Sequence, residues 1–228
     1  MLQLINKKKY ILYIFFFLIL TTINNLKVKK LNIFAIKNIE IINQSEKFYD
    51  ESFNNKLIQE FDYLLNRNIF FIDKEKLNFK LLNNKLISNF KIKKNYPSKL
   101  VINYEKTRPI ANIILDNQNF LIGSNYKLIE TENMLEDLPN VFGKPKMKQF
   151  RQIIEQVNLS NINFDDITDY YYFKSMRWNI RLNNDILIKL PEDNLFEYLN
   201  LAWKILENEK VLIKNTLNLS VKNQVIID

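Results

Sequence analysis

The chain has 228 residues, a formal charge of +8, an apolar fraction of 47%, and neither cysteine nor histidine. The lack of cysteine excludes disulfides, thiolate nucleophiles and cysteine-ligated metals, and the lack of histidine removes the commonest general base and the commonest metal ligand. The first 30 residues hold six lysines and no acidic residue, which leaves a net charge of only +2 on the remaining 198. The basic residues therefore favour a membrane surface over nucleic acid as their partner, because a nucleic-acid-binding protein carries its basic stripe on the folded domain.

A long apolar segment, YILYIFFFLILTTI, begins at Tyr10, and no charged residue occurs over 10–26. Seventeen helical residues span about 25 Å, slightly less than a hydrocarbon core of about 30 Å, and flanking lysines can reach the lipid headgroups from both ends. The sequence predicts a transmembrane anchor over 10–26 and a cytoplasmic tail over 1–9, because three lysines beside the N-terminus favour a cytoplasmic N-terminus. A cleaved signal peptide is disfavoured by the lack of a small-x-small cleavage site, and a core strand is disfavoured by the two lysine clusters.

The next part of the chain predicts a compact α+β module with the order strand, helix, helix, strand, strand. The first predicted element is a strand over 34–43. It is followed by a helix with Ser52 at its N-cap and Phe53, Leu57 and Phe61 on its apolar face, and by an extended connector over 68–72. A second helix has Asp73 at its N-cap and Leu77, Leu81 and Leu82 on its apolar face, and a hairpin within 90–111 completes the module. The hairpin reads FKIKKNYPSKLVINYEKTRPIA, in which apolar and polar residues alternate on both sides of Tyr-Pro.

Downstream, short alternating segments separated by turn residues predict a mainly antiparallel β domain with flanking helices. The predicted strands cover 111–115, 119–122, 126–130, 170–173, 177–182, 186–190, 217–221 and 224–228. The predicted turns are Asp116-Asn117-Gln118, a primed turn at Asn183-Asn184, Lys222-Asn223, and a loop over Leu138-Pro-Asn-Val-Phe-Gly. One helix is predicted to begin near Pro145, and another after Asp193 or Asn194.

No catalytic, cofactor or metal site is predicted. The densest acidic cluster, Asp165, Asp166 and Asp169, lacks the glycine turn and the ligand spacing of a calcium loop and is best explained as solvated. The two glycines, Gly123 and Gly143, lie too far apart to form a phosphate-binding loop. The aromatic run Tyr-Tyr-Tyr-Phe at 170–173 is either a recognition patch or a strand with half of its side chains in the core. An enzyme of unknown type in the periplasm therefore ranks low, and a nucleic-acid-binding protein ranks lower still.

Four segments occur in a recognisable order: FAIKNIEIIN, NIFFIDKEKLNFKLL, ISNFKIKKNYPSKLVINYEKTRPIA and MRWNIRLNNDILIKLPED. Together they resemble the FtsQ/DivIB family of bacterial cell-division proteins. The residues that carry the family's Tyr-Pro, Leu-x-Ile, Glu-x-x-Pro-x-Ala and Leu-Pro…Gly pattern are Tyr96, Pro97, Leu100, Ile102, Glu105, Pro109, Ala111, Leu138, Pro139 and Gly143. The resemblance implies a single-pass anchor, a POTRA domain over 32–107 and an FtsQ-type β domain over 108–228. One departure is that the family's Asp-Leu-Arg run is replaced here by Asn218, Leu219 and Ser220.

The predicted last strand, 224–228, leaves one row of backbone N–H and C=O groups open to an added strand. The resemblance implies the same place for partner binding, since family members bind the small bitopic proteins FtsB and FtsL through this strand and the adjacent helix. The predicted partner-binding residues are Val221, Gln224, Val225, Ile226, Ile227 and, on the helix, Trp203. The alternative is that these apolar side chains only close the domain core.

The sequence therefore predicts a non-catalytic scaffold of the divisome, held in the bacterial inner membrane at the septum with its folded part in the periplasm. FtsB and FtsL are the predicted partners, FtsK, FtsW and FtsI are further candidates, and no nucleic acid, cofactor or small-molecule substrate is expected. The alternative is a POTRA-bearing envelope assembly or secretion factor. It is disfavoured because such proteins carry repeated POTRA units and this sequence shows one such pattern.

Overall fold

Alternating apolar positions form two mixed β-sheets, one in each of the two units into which the chain divides, Met1–Lys106 and Thr107–Asp228. The computed structural model describes residues 7–23, 32–45, 51–208, 210–221 and 224–228. The α-helices in these ranges are α1 (Lys7–Ile23), α2 (Glu51–Phe61), α3 (Lys74–Asn83), α4 (Met147–Leu159) and α5 (Leu195–Leu206). The chain is thus an α+β protein, as predicted.

Helix α1 coincides with most of the predicted anchor over 10–26, of which residues 24–26 lie outside the described ranges. Among the helices that the structure describes, none combines the length and the apolar character needed to cross a membrane.

The sheet of the first unit has β3 at its centre. Its strands are β1 (Asn38–Asn43), β2 (Ile87–Asn95) and β3 (Lys99–Lys106), in the order β1-β3-β2. Strand β3 pairs parallel with β1 and antiparallel with β2. A parallel pair needs a crossover connection, and α2 and α3 lie in the segment that makes it. The predicted order of strand, helix, helix, strand, strand is therefore observed.

Helices α2 and α3 form one hydrophobic core with the inner face of this sheet. The large side chains buried in this core include Phe61, Leu57, Leu77, Leu81, Leu100, Ile102 and Tyr104. The hydroxyl of Tyr104 donates a hydrogen bond to Oδ1 of Asn54, 2.6 Å away, so that this buried polar group is satisfied. Helix α3 is capped as predicted, because Asp73 Oδ1 accepts from the backbone N–H of Lys76.

Several predictions for the first unit were wrong in detail. The strand predicted over 34–43 begins only at Asn38, because Asn32–Phe34 form a 3₁₀ turn. The connector over 68–72 is not extended, since the side chain of Asn68 accepts from the N–H of Phe70 and caps a 3₁₀ turn over Ile69–Phe71. Ser52 lies inside α2 and not at its N-cap, and Leu82 is 59% exposed and does not belong to the apolar face of α3.

The second unit contains a nine-stranded sheet in the order β12-β11-β10-β9-β8-β7-β4-β5-β6. Its strands are β4 (Pro109–Leu115), β5 (Gln118–Gly123), β6 (Leu128–Glu130), β7 (Asn140–Phe142), β8 (Ile167–Tyr172), β9 (Trp178–Leu182), β10 (Leu187–Lys189), β11 (Thr216–Asn218) and β12 (Ile226–Ile227). Of its eight pairings in the described ranges, five are antiparallel and three are parallel, so the sheet is mixed, with antiparallel pairings in the majority.

Two of the three parallel pairs follow from the positions of the helices. Helix α4 connects β7 to β8, and α5 connects β10 to β11, which are the crossovers that parallel neighbours require. Both helices pack into one core with the inner face of the sheet. That core includes Ile113, Ile122, Val141, Phe150, Val157, Tyr170, Ile180, Ile188, Leu199, Ala202, Leu217 and Leu219.

The segment Leu138-Pro-Asn-Val-Phe-Gly, predicted as a loop, contains strand β7 in the middle of the sheet. It pairs parallel with β4 on one side and with β8 on the other. The strand ends at Gly143, whose φ of 92° is unfavourable for other residues and at which a Cβ would collide with the carbonyl oxygen of Tyr172. The prediction failed because the strand is fixed by its two neighbours and not by a local pattern.

Three hairpins of the second unit use the same three-residue loop, which ends on a left-handed residue. These residues, Tyr126, Met176 and Asp185, have φ of 58°, 58° and 66°. Each donates its backbone N–H to the carbonyl three residues earlier, at 2.8–3.0 Å. The primed turn predicted at Asn183-Asn184 is therefore a longer loop that ends at Asp185. Positive φ at consecutive residues occurs instead at Asp116 and Asn117, between β4 and β5, where the predicted hairpin is confirmed.

The remaining differences concern strand ends and caps. The strands predicted over 126–130, 217–221 and 224–228 are shorter or shifted, as β6, β11 and β12. Asn194 occupies the N-cap position of α5 but makes no side-chain capping bond, because its backbone is left-handed. The predicted Lys222-Asn223 turn lies outside the described residues.

Met176 provides a test of the left-handed loop. Its side chain is 51% exposed, so substitution removes little packing. We expect Met176→Gly to be more stable than Met176→Ala by about 0.5–1 kcal/mol. A non-glycine residue in the left-handed conformation costs about 1–2 kcal/mol, and glycine avoids this cost. Glycine loses part of the gain because its unfolded state is more flexible. Urea unfolding of the two variants measures the difference. The matched pair at a neighbouring loop position, Lys174→Gly and Lys174→Ala, should show the opposite order, and an alanine variant at 176 as stable as the glycine variant would contradict the assignment.

Candidate partner-binding site

Strand β12 lies at one edge of the nine-stranded sheet. It pairs antiparallel with β11, with Leu217 opposite Ile227 and Asn218 opposite Ile226. Asp228 secures the end of the strand, because its carbonyl oxygen accepts from the N–H groups of Lys214, Asn215 and Thr216 at 2.9–3.2 Å. In the part of the chain that the structure describes, no strand pairs with the other side of β12.

The backbone of β12 directs alternate residues toward that open side. Asp228 and Thr216 exchange both N–H···O bonds, of 3.0 and 3.2 Å. In an antiparallel ladder every second residue is bonded in this way, so Ile226 also faces β11, whereas Ile227 directs its N–H and C=O groups outward. Extending the same alternation by one residue beyond β12 predicts an outward direction for Val225 as well.

The predicted partner-binding side chains at this end of the chain are exposed to solvent. Val221, Gln224, Val225 and Ile227 are all exposed, and Ile226 is 47% exposed. The core of the unit is closed instead by Leu217 and Leu219, which are fully buried. Val221, Val225, Ile226 and Ile227 therefore leave apolar surface exposed beside this sheet edge, where edge strands are usually protected by charged residues or proline.

Trp203 lies in a different part of this region. It is half-buried on α5, packs against the core, and lines a cleft of about 530 Å³ together with Leu206, Leu212 and Ile213. Leu212 is 79% exposed. The segment that carries Leu212 and Ile213 continues directly into Lys214, whose N–H is bonded to Asp228. The cleft is thus connected to the edge strand through residues 212–216.

Sequence reasoning missed Leu212 and Ile213. Their signal is the short apolar run Val-Leu-Ile after the predicted end of the helix, between Lys210 and Lys214. This run fits neither a helical period nor a strand alternation, so the sequence places it in no helix or strand. In the structure Ile213 packs against the core and Leu212 remains exposed at the rim of the cleft.

The acidic cluster of the sequence does not assemble in the structure. Asp166 accepts a hydrogen bond from the side chain of Asn183, and Asp169 forms an ion pair with Arg181 at 3.4 Å. Tyr171 also donates to Asp169, at 3.3 Å. Within the described residues, no group of three or more acidic side chains is arranged to hold a metal ion. The acidic residues of this region make structural contacts instead.

The aromatic run at 170–173 is divided between the two faces of the sheet. Tyr170 is fully buried and packs edge-on against Phe150 and Trp178, whereas Tyr171 stacks on Phe142 on the opposite face, with centroids 4.9 Å apart. Burial raises the pKa of Tyr170 far above its usual value. Its hydroxyl has no hydrogen-bond partner among the described atoms. The run is therefore a strand with half of its side chains in the core and not a continuous recognition patch.

The buried hydroxyl of Tyr170 generates a stability prediction. Desolvating a hydroxyl without a partner costs about 1–3 kcal/mol, so Tyr170→Phe should raise the free energy of unfolding by about 1 kcal/mol. Tyr104→Phe is the matched control, because it removes a hydroxyl that is bonded to Asn54 and should destabilise the chain. Urea unfolding measures both variants. A loss of stability in Tyr170→Phe would mean that the hydroxyl has a partner.

The division between core and edge is also testable. Leu217→Ala should cost about 2–5 kcal/mol, as for other buried leucines. We expect Ile226→Ala, one strand further out, to cost less than about 1 kcal/mol, because its side chain is half exposed. Thermal or urea unfolding gives both values, and similar losses for the two variants would place Ile226 in the core.

Comparisons with known proteins identify no family for this chain. No protein-family model and no curated protein matches it. Among solved structures, the major extracytoplasmic domain of the trans isomer of the bacterial cell division protein DivIB from Geobacillus stearothermophilus matches with a TM-score of 0.32 and 14% identity, over 41% of this chain and 83% of that chain. A TM-score of this size does not establish a common fold, so the match carries no inference about the function of this chain.

Proposed function

We propose that the protein is a non-catalytic scaffold of bacterial cell division that binds partner proteins by strand addition at β12. The proposal rests chiefly on one observation, the position of β12 as an apolar, exposed strand that is paired on one side only. Added strands gain affinity from main-chain hydrogen bonds and specificity from alternate side chains. An unprotected apolar edge is a liability for a protein that stays alone, and a partner that covers it removes that liability.

The identity of the partners comes from the sequence resemblance to the FtsQ/DivIB family. In this proposal a segment of FtsB or FtsL pairs with the outward backbone groups of Val225 and Ile227. Its side chains then contact Ile226 on one face of the sheet and Ile227 on the other, since neighbouring residues alternate between faces. The cleft beside Trp203 accommodates a further part of the same partner, because residues 212–216 join the two places.

The proposed membrane attachment is through 10–26. Its support is the uncharged run of residues bracketed by lysines, of which α1 covers the part up to Ile23. The first unit then corresponds to a POTRA domain over 32–107 and the second to an FtsQ-type β domain over 108–228, both on the periplasmic side at the septum. FtsK, FtsW and FtsI are the further partners that this placement allows.

The lack of catalysis is supported by composition. The chain has no cysteine or histidine, which removes the side chains most often used as nucleophile and general base near neutral pH. Asp166 and Asp169 are engaged in structural contacts, as described above. Scaffolding requires only binding surfaces, and the edge strand with its cleft supplies one.

The binding test uses proline at an outward-facing residue. Val225→Pro removes an N–H that faces the open edge, whereas Val225→Ala keeps it and removes only side-chain contacts. We expect Val225→Pro to reduce co-purification of FtsB and FtsL from cells that express the full chain by about tenfold, since one hydrogen bond contributes up to about 1.5 kcal/mol. Val225→Ala should reduce it less. Unchanged capture by Val225→Pro, with an unaltered unfolding transition, would refute strand addition at this edge.

The cellular test is the location of the protein. A fluorescent fusion of the full chain should collect at midcell in dividing cells, because a divisome scaffold acts at the septum. The envelope assembly factor considered above would be distributed around the cell periphery. A uniform peripheral signal from a functional fusion would therefore exclude the cell-division proposal.

A further inference from the structure

The first unit exposes a cluster of apolar side chains beside its core, of which only Phe34 packs against that core. The cluster, here called the aromatic tip, consists of Ile33, Phe34, Phe70, Phe71 and Tyr96. Phe70 is the centre, with its ring 4.9 Å from that of Phe34, edge to face, and 4.9 Å from that of Tyr96, stacked. Ile33, Phe70, Phe71 and Tyr96 are all exposed, and Tyr96 is 57% exposed. The tip is thus an organised aromatic surface that faces solvent.

The backbone around the tip holds these side chains together. Ala35 forms a bridge with Asn68, and the N–H of Ile36 donates to the carbonyl of Arg67 at 2.9 Å. The N–H of Lys37 donates to the carbonyl of Ser98, at 2.8 Å. Three separate segments of chain are therefore fixed side by side, and the rings of Phe34, Phe70 and Tyr96 that they carry form one contiguous group.

Two lysines border the tip. Lys94 Nζ donates to the carbonyl oxygen of Phe70 at 3.5 Å. Lys74 follows Phe71 by three residues in the chain. The pKa of Lys94 is lowered, first by burial and then by the positive charge of Lys74. The nearby Asp73 is occupied as the N-cap of α3, where it accepts from Lys76. Aromatic side chains beside two such cations suit a surface that offers both apolar and negatively charged groups.

The chain also restricts how far the tip can lie from α1. Nine residue steps separate Ile23, the last described residue of α1, from Asn32, the first residue of the turn that carries Ile33. A fully extended chain of that length covers about 30 Å at most. If α1 is held by a membrane, the aromatic tip is therefore confined to a layer close to the lipid headgroups.

We infer that the aromatic tip inserts into the headgroup region of the membrane that holds α1, with Lys74 and Lys94 contacting anionic lipid phosphates. Of the tip residues, Tyr96 has the amphipathic ring that favours this region, the phenylalanines supply apolar area beside it, and lysines near the region gain about 1 kcal/mol each from anionic lipid. The contact gives the first unit a second attachment to the bilayer. The inference rests on the proposed membrane attachment of α1, and it is independent of partner binding at β12.

The test uses the absence of natural cysteine, which allows a single fluorescent label at any chosen residue. Phe71→Cys in the full chain is labelled with an environment-sensitive dye, and the protein is reconstituted in vesicles of phosphatidylglycerol and phosphatidylcholine that contain brominated lipid. Leu82→Cys is the matched control, because Leu82 is a comparably exposed apolar residue on α3, outside the tip. We expect bromine to quench the dye at residue 71 and to leave the dye at residue 82 unchanged.

Two further variants separate the possible failures. Phe16→Cys places the dye within α1, so its quenching reports whether α1 is in the lipid. Quenching at residue 16 without quenching at residue 71 would refute insertion of the tip and leave the anchor intact, whereas no quenching at residue 16 would refute the anchor and the inference together. In the double variant Lys74→Gln and Lys94→Gln, with the dye at residue 71, we expect the equilibrium constant for tip insertion to fall roughly thirtyfold when anionic lipid is present, and the quenching to fall with it. Equal quenching with and without the two lysines would refute their role.

Discussion

The nine-stranded sheet depends on the insertion of one short strand, β7, between β4 and β8. Without it the sheet would separate into β4-β5-β6 and β8 to β12, because β7 supplies both pairings between these groups. Asn112 holds the preceding loop in place. It is almost fully buried, donates its side-chain N–H groups to the carbonyls of Leu135 and Leu138 at 2.8 and 3.0 Å, and accepts from the N–H of Leu135 at 3.1 Å. A buried network whose bonds are all satisfied specifies one arrangement of the chain.

Joining the two groups leaves the described part of the sheet with two edges, β6 and β12, and they differ in chemistry. The β6 edge ends on Glu130, and Glu132 follows within two residues. Charged residues of one sign discourage a further strand from pairing there. The β12 edge carries Val225, Ile226 and Ile227, all exposed. The two described edges therefore differ in their exposed apolar side chains, and this difference is the physical basis for proposing β12 as the binding edge.

Local patterns predicted the parts of this fold that local interactions determine. Alternation found the hairpin of β2 and β3, and the position of Asp73 found the cap of α3. Strand β7 was missed because only its two neighbours define it. The sequence could not decide whether the last strand is exposed, for a similar reason. Ile226 is left out of the core because Leu217 and Leu219 already fill it. That arrangement depends on the order of strands in the sheet. The cleft residues Leu212 and Ile213 belong to neither regular period, so no sequence pattern assigns them.

The energetics of the edge indicate why the proposed function needs both the cleft and the membrane. Burying the exposed part of each apolar residue on β12 contributes about 1 kcal/mol, and β12 itself is only two residues long. Association costs at least about 4 kcal/mol in lost translational and rotational freedom, so the edge alone supports weak binding. Contacts in the cleft with Trp203 and Leu212 add apolar area next to the edge. In the proposed function both partners are confined to one membrane, which would raise their effective concentration as a linker does, so that a short edge strand that binds weakly in solution would become sufficient.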